Sequence, residues 1–289
     1  MNFIKAGTDS QGHPVELFYQ DLGQGSPLVL IHGWPLDSQS WEHQLLELPR
    51  HGLRVIAYDR RGFGKSSKPW DGYDYDTFAD DLKAVLEELD LQNVTLVGFS
   101  MGGGEIARYM SRHNGARVAK VAFVSAVTPF MIKTDDNPSG VDKSTFDEMV
   151  DGVKKDRADF LSDFGKKFFG VGVLDHSVSQ ATLDWTQSIA LQATAKATLD
   201  CIYAFAATDF RQDLATIKVP ALVIHGTSDK IVPIETGGEQ TAKLLPQAQF
   251  LEYDGAPHGL NVTEKDRLNQ DLLAFVGQSV NVATPSAAY

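Results

Sequence analysis

Apolar runs without alternation recur along the first part of the chain, each closed by a polar, glycine-containing turn. Residues 28–31, 53–58, 94–99 and 118–124 have this form, which suits strands buried on both faces of a parallel sheet. Between them lie stretches with helical spacing: 41–48 behind Ser38 or Ser40, 76–89 capped by Asp76 or Thr77, and 105–112. Residues 15–20 alternate enough to form an edge strand. Strands and helices in this order predict βαβ units and a parallel sheet flanked by helices.

The alternation then stops. From about residue 128 to 217 no strand is legible, and 144–153, 157–168, 179–190 and 195–206 read as helices. A strand at 219–224, a helix at 235–244, a strand at 248–253 and a helix at 264–276 resume the first pattern. The expected organisation is an α/β core over 1–127 and 218–279, interrupted by a helical cap insertion over 128–217. The tail, 280–289, is small and polar and is expected to be disordered.

A chain of 289 residues, 43% hydrophobic and 22% charged, can bury a sizeable core and has ordinary globular composition. The net charge of −12 argues against nucleic acid or an anionic membrane as partner and mildly favours neutral or cationic substrates. The first twenty residues carry no apolar signal-peptide segment, and no run approaches a membrane span. The single cysteine, Cys201, cannot form an intrachain disulfide and reads as core; no His/Cys/Asp cluster has metal-ligand spacing. A cytoplasmic location and no metal are therefore expected.

Gly98-Phe99-Ser100-Met101-Gly102 is a G-x-S-x-G sequence with a strand before it and a helix after it. A turn that tight strains its central residue and pushes the side chain out of the sheet's end, and glycines two places either side avoid clashes with nearby backbone. Ser100 would then sit beside a helix N-terminus, where free N–H groups favour negative charge. A serine nucleophile needs a base, and the base an orienting acid. Two later loops follow strand ends: His225-Gly226-Thr227-Ser228-Asp229 and Asp254-Gly255-Ala256-Pro257-His258. Asp229 and His258 are the preferred acid and base, in the order Ser…Asp…His expected after such an elbow.

Rivals exist for both roles. His32 and His225 end buried strands and read as hydrogen-bonded structural residues; His13, His43, His51, His113 and His176 read as solvated. Among acids, Asp59 precedes Arg60 and Arg61 and reads as part of an ion pair shaping that loop, while Asp254 stays open. The oxyanion hole needs two backbone donors, and Met101 N–H and Trp34 N–H are the candidates. Pro35 has no N–H and restricts the backbone of Trp34 instead.

HGWPLD at 32–37, YDRRGFGKSS at 58–67, GFSMGGGE at 98–105, ATDFRQDL at 207–214, HGTSDKIVPIE at 225–235 and GAPHGL at 255–260 together resemble the α/β-hydrolases of the cofactor-free haloperoxidase, arylesterase and perhydrolase group. The resemblance implies the α/β-hydrolase fold and a Ser–His–Asp esterase acting on small carboxylic esters, with promiscuous perhydrolysis: peracid is made from a carboxylic acid and hydrogen peroxide, and the peracid oxidises halide. It implies no cofactor, and it admits a homo-oligomer. It carries Ser100, Asp229 and His258 over as the triad, Trp34 and Met101 as oxyanion donors, and Phe99, Phe164, Phe168 and Ile231 as pocket residues. Pro35 resembles the haloperoxidase form. Peracid formation as the main activity, lactam hydrolysis on the same site, and a hydrolase-fold ligand receptor are the alternatives; a serine at position 100 argues against dehalogenases and epoxide hydrolases, which need an aspartate there.

Overall fold

In the computed structural model, which describes residues 2–172 and 177–277, the apolar runs line up as one sheet. Its strands are β1 (Phe3–Thr8), β2 (Pro14–Gly23), β3 (Ser26–Ile31), β4 (Leu53–Tyr58), β5 (Val94–Phe99), β6 (Val118–Val124), β7 (Ala221–Gly226) and β8 (Gln249–Tyr253). Their spatial order is β1-β2-β4-β3-β5-β6-β7-β8. From β4 to β8 every neighbouring pair is parallel, and only β1 and β2 run antiparallel to their neighbours. This is the mostly parallel sheet that the strand–helix alternation implied, and it fits the α/β-hydrolase fold that the resemblance implied. β5 and β7 are buried at every residue, which explains their unbroken apolar runs.

The edge differs from the reading of the sequence. β2 is not the edge strand, because β1 pairs outside it. Of β1 only Ile4 is buried, so its pattern carries little hydrophobic signal.

The helices are α1 (Glu42–Glu47), α2 (Tyr75–Glu88), α3 (Met101–Arg112), α4 (Lys143–Phe168), α5 (Gln180–Ala190), α6 (Ala195–Ala207), α7 (Arg211–Ala215), α8 (Gly238–Leu244), α9 (Leu260–Thr263) and α10 (Lys265–Val276). α2 is capped by Asp74, whose carboxylate accepts from Thr77 N at 2.9 Å, and not by Asp76 or Thr77. A short 3-10 turn over Ser38–Trp41 precedes α1, and Asp37 caps it in place of Ser38 or Ser40. Helices α4 to α7 lie between β6 and β7 in the chain, and α4 packs on both α5 and α6. α4 holds the two helices expected at 144–153 and 157–168, joined at Asp156, which leaves helical geometry (φ −157°, ψ 96°). The Asp156 carboxylate accepts from the amides of Ala158 and Asp159, each at 3.1 Å, so it caps the second half. His176 and the 280–289 tail lie outside the described residues.

The strand order positions the site. After β3 the chain crosses to β4 on one side and then returns to β5 on the other. The carboxyl ends of β3 and β5 therefore open into the crevice where an open α/β sheet binds its ligands. Ile31 pairs with Gly98 across these strands, so the segments after them, with Trp34 and Ser100, emerge side by side.

Candidate active site

Ser100 stands between β5 and α3 at φ 53°, ψ −117°, a strained conformation for a residue with a Cβ. Its backbone is fixed on both sides: Ser100 N donates to Val124 O at 2.8 Å, and Ser100 O accepts from Gly103 N at 3.0 Å. The flanking glycines are there for close approach. A Cβ at Gly98 would lie 2.5 Å from Gly102 O, and one at Gly102 would lie 2.5 Å from Ile31 O.

Three side chains from three loops meet at the sheet's end. Ser100 Oγ lies 3.0 Å from His258 Nε2, and His258 Nδ1 lies 2.7 Å from Asp229 Oδ2. Ser100, Asp229 and His258 are all buried. Asp229 Oδ1 accepts from the amides of Ile231 at 2.9 Å and Val232 at 2.8 Å. With both its oxygens occupied, the carboxylate cannot turn freely. Burial alone would raise the Asp229 carboxyl; His258 beside it and hydrogen bonds from His225 and His258 win, and hold it well below the usual carboxylate range. The imidazole of His258 therefore faces a carboxylate that stays ionised, and Nδ1 carries the proton, leaving Nε2 to accept from Ser100 Oγ–H.

The rival residues are occupied elsewhere. His32 Nδ1 donates to Gly33 O at 2.9 Å and its Nε2 accepts from Arg60 N at 2.9 Å; burial, with Arg60 nearby, pushes this imidazole well below its ordinary value. Asp254 is exposed. Asp59 does not pair with Arg60 or Arg61, contrary to the expectation. It accepts from the amides of Ser38 at 2.9 Å and Lys65 at 2.8 Å. The two arginines reach past it, Arg60 to Glu105 and Arg61 to Asp81.

Gly33 presses against the elbow: a Cβ there would come within 2.9 Å of Ser100 Cβ. That contact brings the Gly33–Trp34 segment beside Ser100, while Met101 opens α3 directly after it. Trp34 is buried, with its indole N–H donating to Thr198 O at 3.0 Å, so the ring is anchored under α6 and its backbone is left for other work.

An enclosed, largely apolar chamber opens at Ser100, with Trp34, Phe164 and Ile231 among its walls. Thr145, Met149, Phe164 and Ile231 also line a wider outer cavity whose rim carries Lys155, Asp159, Lys167 and Lys230. Phe99 and Phe168 are placed differently from Phe164 and Ile231. Each packs its ring 5.1 Å from that of His258, so they hold the imidazole and do not wall the chamber. Val127, Met131, Val141, Phe146, Phe205 and Val232 complete the chamber; all but Val232 lie outside the motifs, and only their folding together reveals them.

A profile described as the alpha/beta hydrolase fold matches residues 26–265. A non-heme chloroperoxidase of Kitasatospora aureofaciens is 44% identical, covering 91% of this chain and 97% of its own. A bifunctional esterase/perhydrolase of Acinetobacter calcoaceticus is 42% identical, covering 91% and 96%. The crystal structure of a bromoperoxidase from Bacillus anthracis superposes with a TM-score of 0.91 at 49% identity, covering 95% of this chain and 98% of that one.

Proposed function

The chain belongs to the alpha/beta hydrolase family, and from that membership we propose that it is a serine esterase of small carboxylic esters with perhydrolase activity. The carrying observation is the hydrogen-bonded line from Ser100 Oγ through His258 to Asp229, at 3.0 and 2.7 Å, opening into an apolar chamber. In this reading Ser100 Oγ attacks the ester carbonyl as His258 Nε2 takes its proton. The amides of Trp34 and Met101 receive the oxyanion. His258 then returns the proton to the leaving alcohol, which departs as the acyl-enzyme forms. Deacylation repeats the steps with an incoming nucleophile: water gives the acid, and hydrogen peroxide gives the peracid. Asp229 holds the imidazole and stabilises it when protonated.

The names of the relatives support both acceptors, since one is called an esterase/perhydrolase and another a chloroperoxidase. The small chamber fits a short acyl group; the net charge of −12 fits a neutral or cationic ester better than nucleic acid. Among the described residues no helix is long and apolar enough to cross a membrane. A cytoplasmic location and a homo-oligomer remain part of the proposal, as do a core over 1–127 and 218–279 and a cap over 128–217. The deciding assay offers the purified protein aryl acetates, longer acyl esters, a lactam, and acetate with hydrogen peroxide. Turnover of short aryl esters is expected to lead; a protein that turns over the lactam alone, or nothing, rejects the reading.

Two further outcomes are expected. Ser100, His258 and Asp229 supply the nucleophile, the proton carrier and its orienting acid in this reading, so dialysis against a chelator is expected to leave ester turnover unchanged; loss restored by one metal would overturn the mechanism. Pro35 directly follows Trp34 and fixes the local backbone that aims the Trp34 carbonyl. A carbonyl accepting peroxide's second O–H would favour peroxide over water in the acyl-enzyme. Pro35→Leu is then expected to lower peracid formation relative to ester hydrolysis by about five-fold, the scale of one hydrogen bond. An unchanged ratio at equal active-site concentration rejects this role for Pro35 and leaves the triad untouched.

A further inference from the structure

His225, last but one in β7, has no exposed surface and takes no part in the steps above. Its Nε2 lies 2.8 Å from Val232 O and 3.3 Å from Asp229 Oδ2. Both neighbours are acceptors, so Nε2 carries the proton and donates, chiefly to the carbonyl and secondarily to the carboxylate. Nδ1 has no hydrogen-bond partner among the described residues and is therefore the bare nitrogen of the ring. Asp229 Oδ2 thus faces two imidazole N–H groups, His258 on the side of Ser100 and His225 on the side of the sheet.

The ring is closely packed. A Cβ at Gly237 would come 2.8 Å from His225 Cε1, and one at Gly238 would come 2.9 Å from Nδ1. Neither glycine has the positive φ that would otherwise call for one. At Gly238 a Cβ would first meet His225 Cβ, at 2.7 Å, and at Gly237 it would also meet Val232 Cγ1 at 2.8 Å and Ala126 O at 2.9 Å, so the ring shares this close packing with its neighbours. An aliphatic side chain of similar bulk would avoid the idle nitrogen, but it would take the donor away from Val232 O and from the flank of Asp229 Oδ2. What the imidazole adds is the single N–H between Val232 O and Asp229 Oδ2.

We propose that His225 is a positioning residue for Asp229: its Nε2–H ties the 229–232 turn to the sheet and fixes the carboxylate so that Oδ2 points at His258 Nδ1. This rests on the reading of Ser100, His258 and Asp229 as a working triad. The N–H acts on the carboxylate's orientation and not on the bound ester, so its loss falls on kcat and leaves KM little changed.

The experiment compares aryl acetate kinetics of the wild type with His225→Leu, His225→Gln and Ser100→Ala. Leucine keeps bulk and removes the donor, whereas the glutamine amide can place an N–H near the position of Nε2–H. His225→Leu is expected to lose about tenfold in kcat, the scale of one hydrogen bond to a charged group, and His225→Gln to recover most of it. A folded leucine variant with wild-type kcat overturns the proposal, and so does an equal loss in both variants. If the leucine variant does not fold, nitrogen-15 NMR of histidine-labelled wild type decides: a proton on Nε2 with Nδ1 bare supports the role, and a proton on Nδ1 overturns it. Ser100→Ala separates the two levels. Turnover surviving there sinks the triad reading itself, while an inactive Ser100→Ala beside an unaffected His225→Leu sinks only the role of His225.

Discussion

Ser100→Ala is expected to lower kcat for aryl acetate hydrolysis by about four to six orders of magnitude while leaving the protein folded. The loss is large because, among the described residues, the only side-chain hydrogen bond of Ser100 runs to His258 Nε2, at 3.0 Å, and in the proposed mechanism that bond is the proton path. The fold survives because the elbow is held by backbone. Ser100 N still donates to Val124 O at 2.8 Å, and Ser100 O still accepts from Val127 N at 3.2 Å. Alanine tolerates a φ of 53° about as well as serine, so little new strain enters. His258→Ala should cost a similar factor, and the double variant should be no slower than either single one, since residues acting as one unit do not add. Turnover and far-UV circular dichroism on the same samples decide the matter: a folded Ser100→Ala with near wild-type turnover removes Ser100 from the mechanism, and additive losses would mean the two residues act separately.

The parts of the fold legible in the sequence are those whose signal is local. β5 reads as a strand because all of its residues are buried and apolar or small, and the turn after it reads from the steric need for Gly98 and Gly102. The break between the halves of α4 shows as a polar gap, and Asp156 supplies the cap that ends it. What stayed hidden depends on partners far along the chain. Arg60 and Arg61 stand beside Asp59, yet their carboxylates come from Glu105 and Asp81 on helices packed below the loop. Adjacency favoured Asp59; burial decided otherwise, because Asp59 is consumed by the amides of Ser38 and Lys65. The chamber walls Val127, Met131, Phe146 and Phe205 are ordinary core-type residues whose facing is set only when α4 and α6 dock. Phe99 and Phe168 illustrate the same limit. Their aromatic character is plain in sequence, but whether a ring meets substrate or the imidazole depends on packing that no spacing encodes.

The largest loss of stability is expected at Glu105, away from the reacting atoms. Arg60 and Glu105 have no exposed side-chain surface and pair at 2.7 Å. Arg60 Nε adds a second bond to Glu105 Oε2 at 2.8 Å, and the Tyr58 hydroxyl donates to the other carboxylate oxygen. Burial pushes the Glu105 carboxyl upward, with Arg60 and the Tyr58 hydrogen bond opposing. Glu105→Ala leaves the guanidinium in the core without its counter-charge. An uncompensated buried charge of this kind costs about 3–5 kcal/mol, a large share of the roughly 5–15 kcal/mol that holds a typical domain together. Arg60 Nη2 also donates to His32 O at 3.0 Å, at the start of the segment that carries Trp34, so the same variant loosens the oxyanion side and loses turnover. Urea unfolding should show a much lower midpoint for Glu105→Ala. The double variant Arg60→Met/Glu105→Met, which removes both charges and keeps the bulk, should recover part of the loss. A Glu105→Ala midpoint equal to the wild type would mean that the pair contributes nothing. A double variant no better than Glu105→Ala would mean that lost packing, and not the stranded charge, sets the penalty.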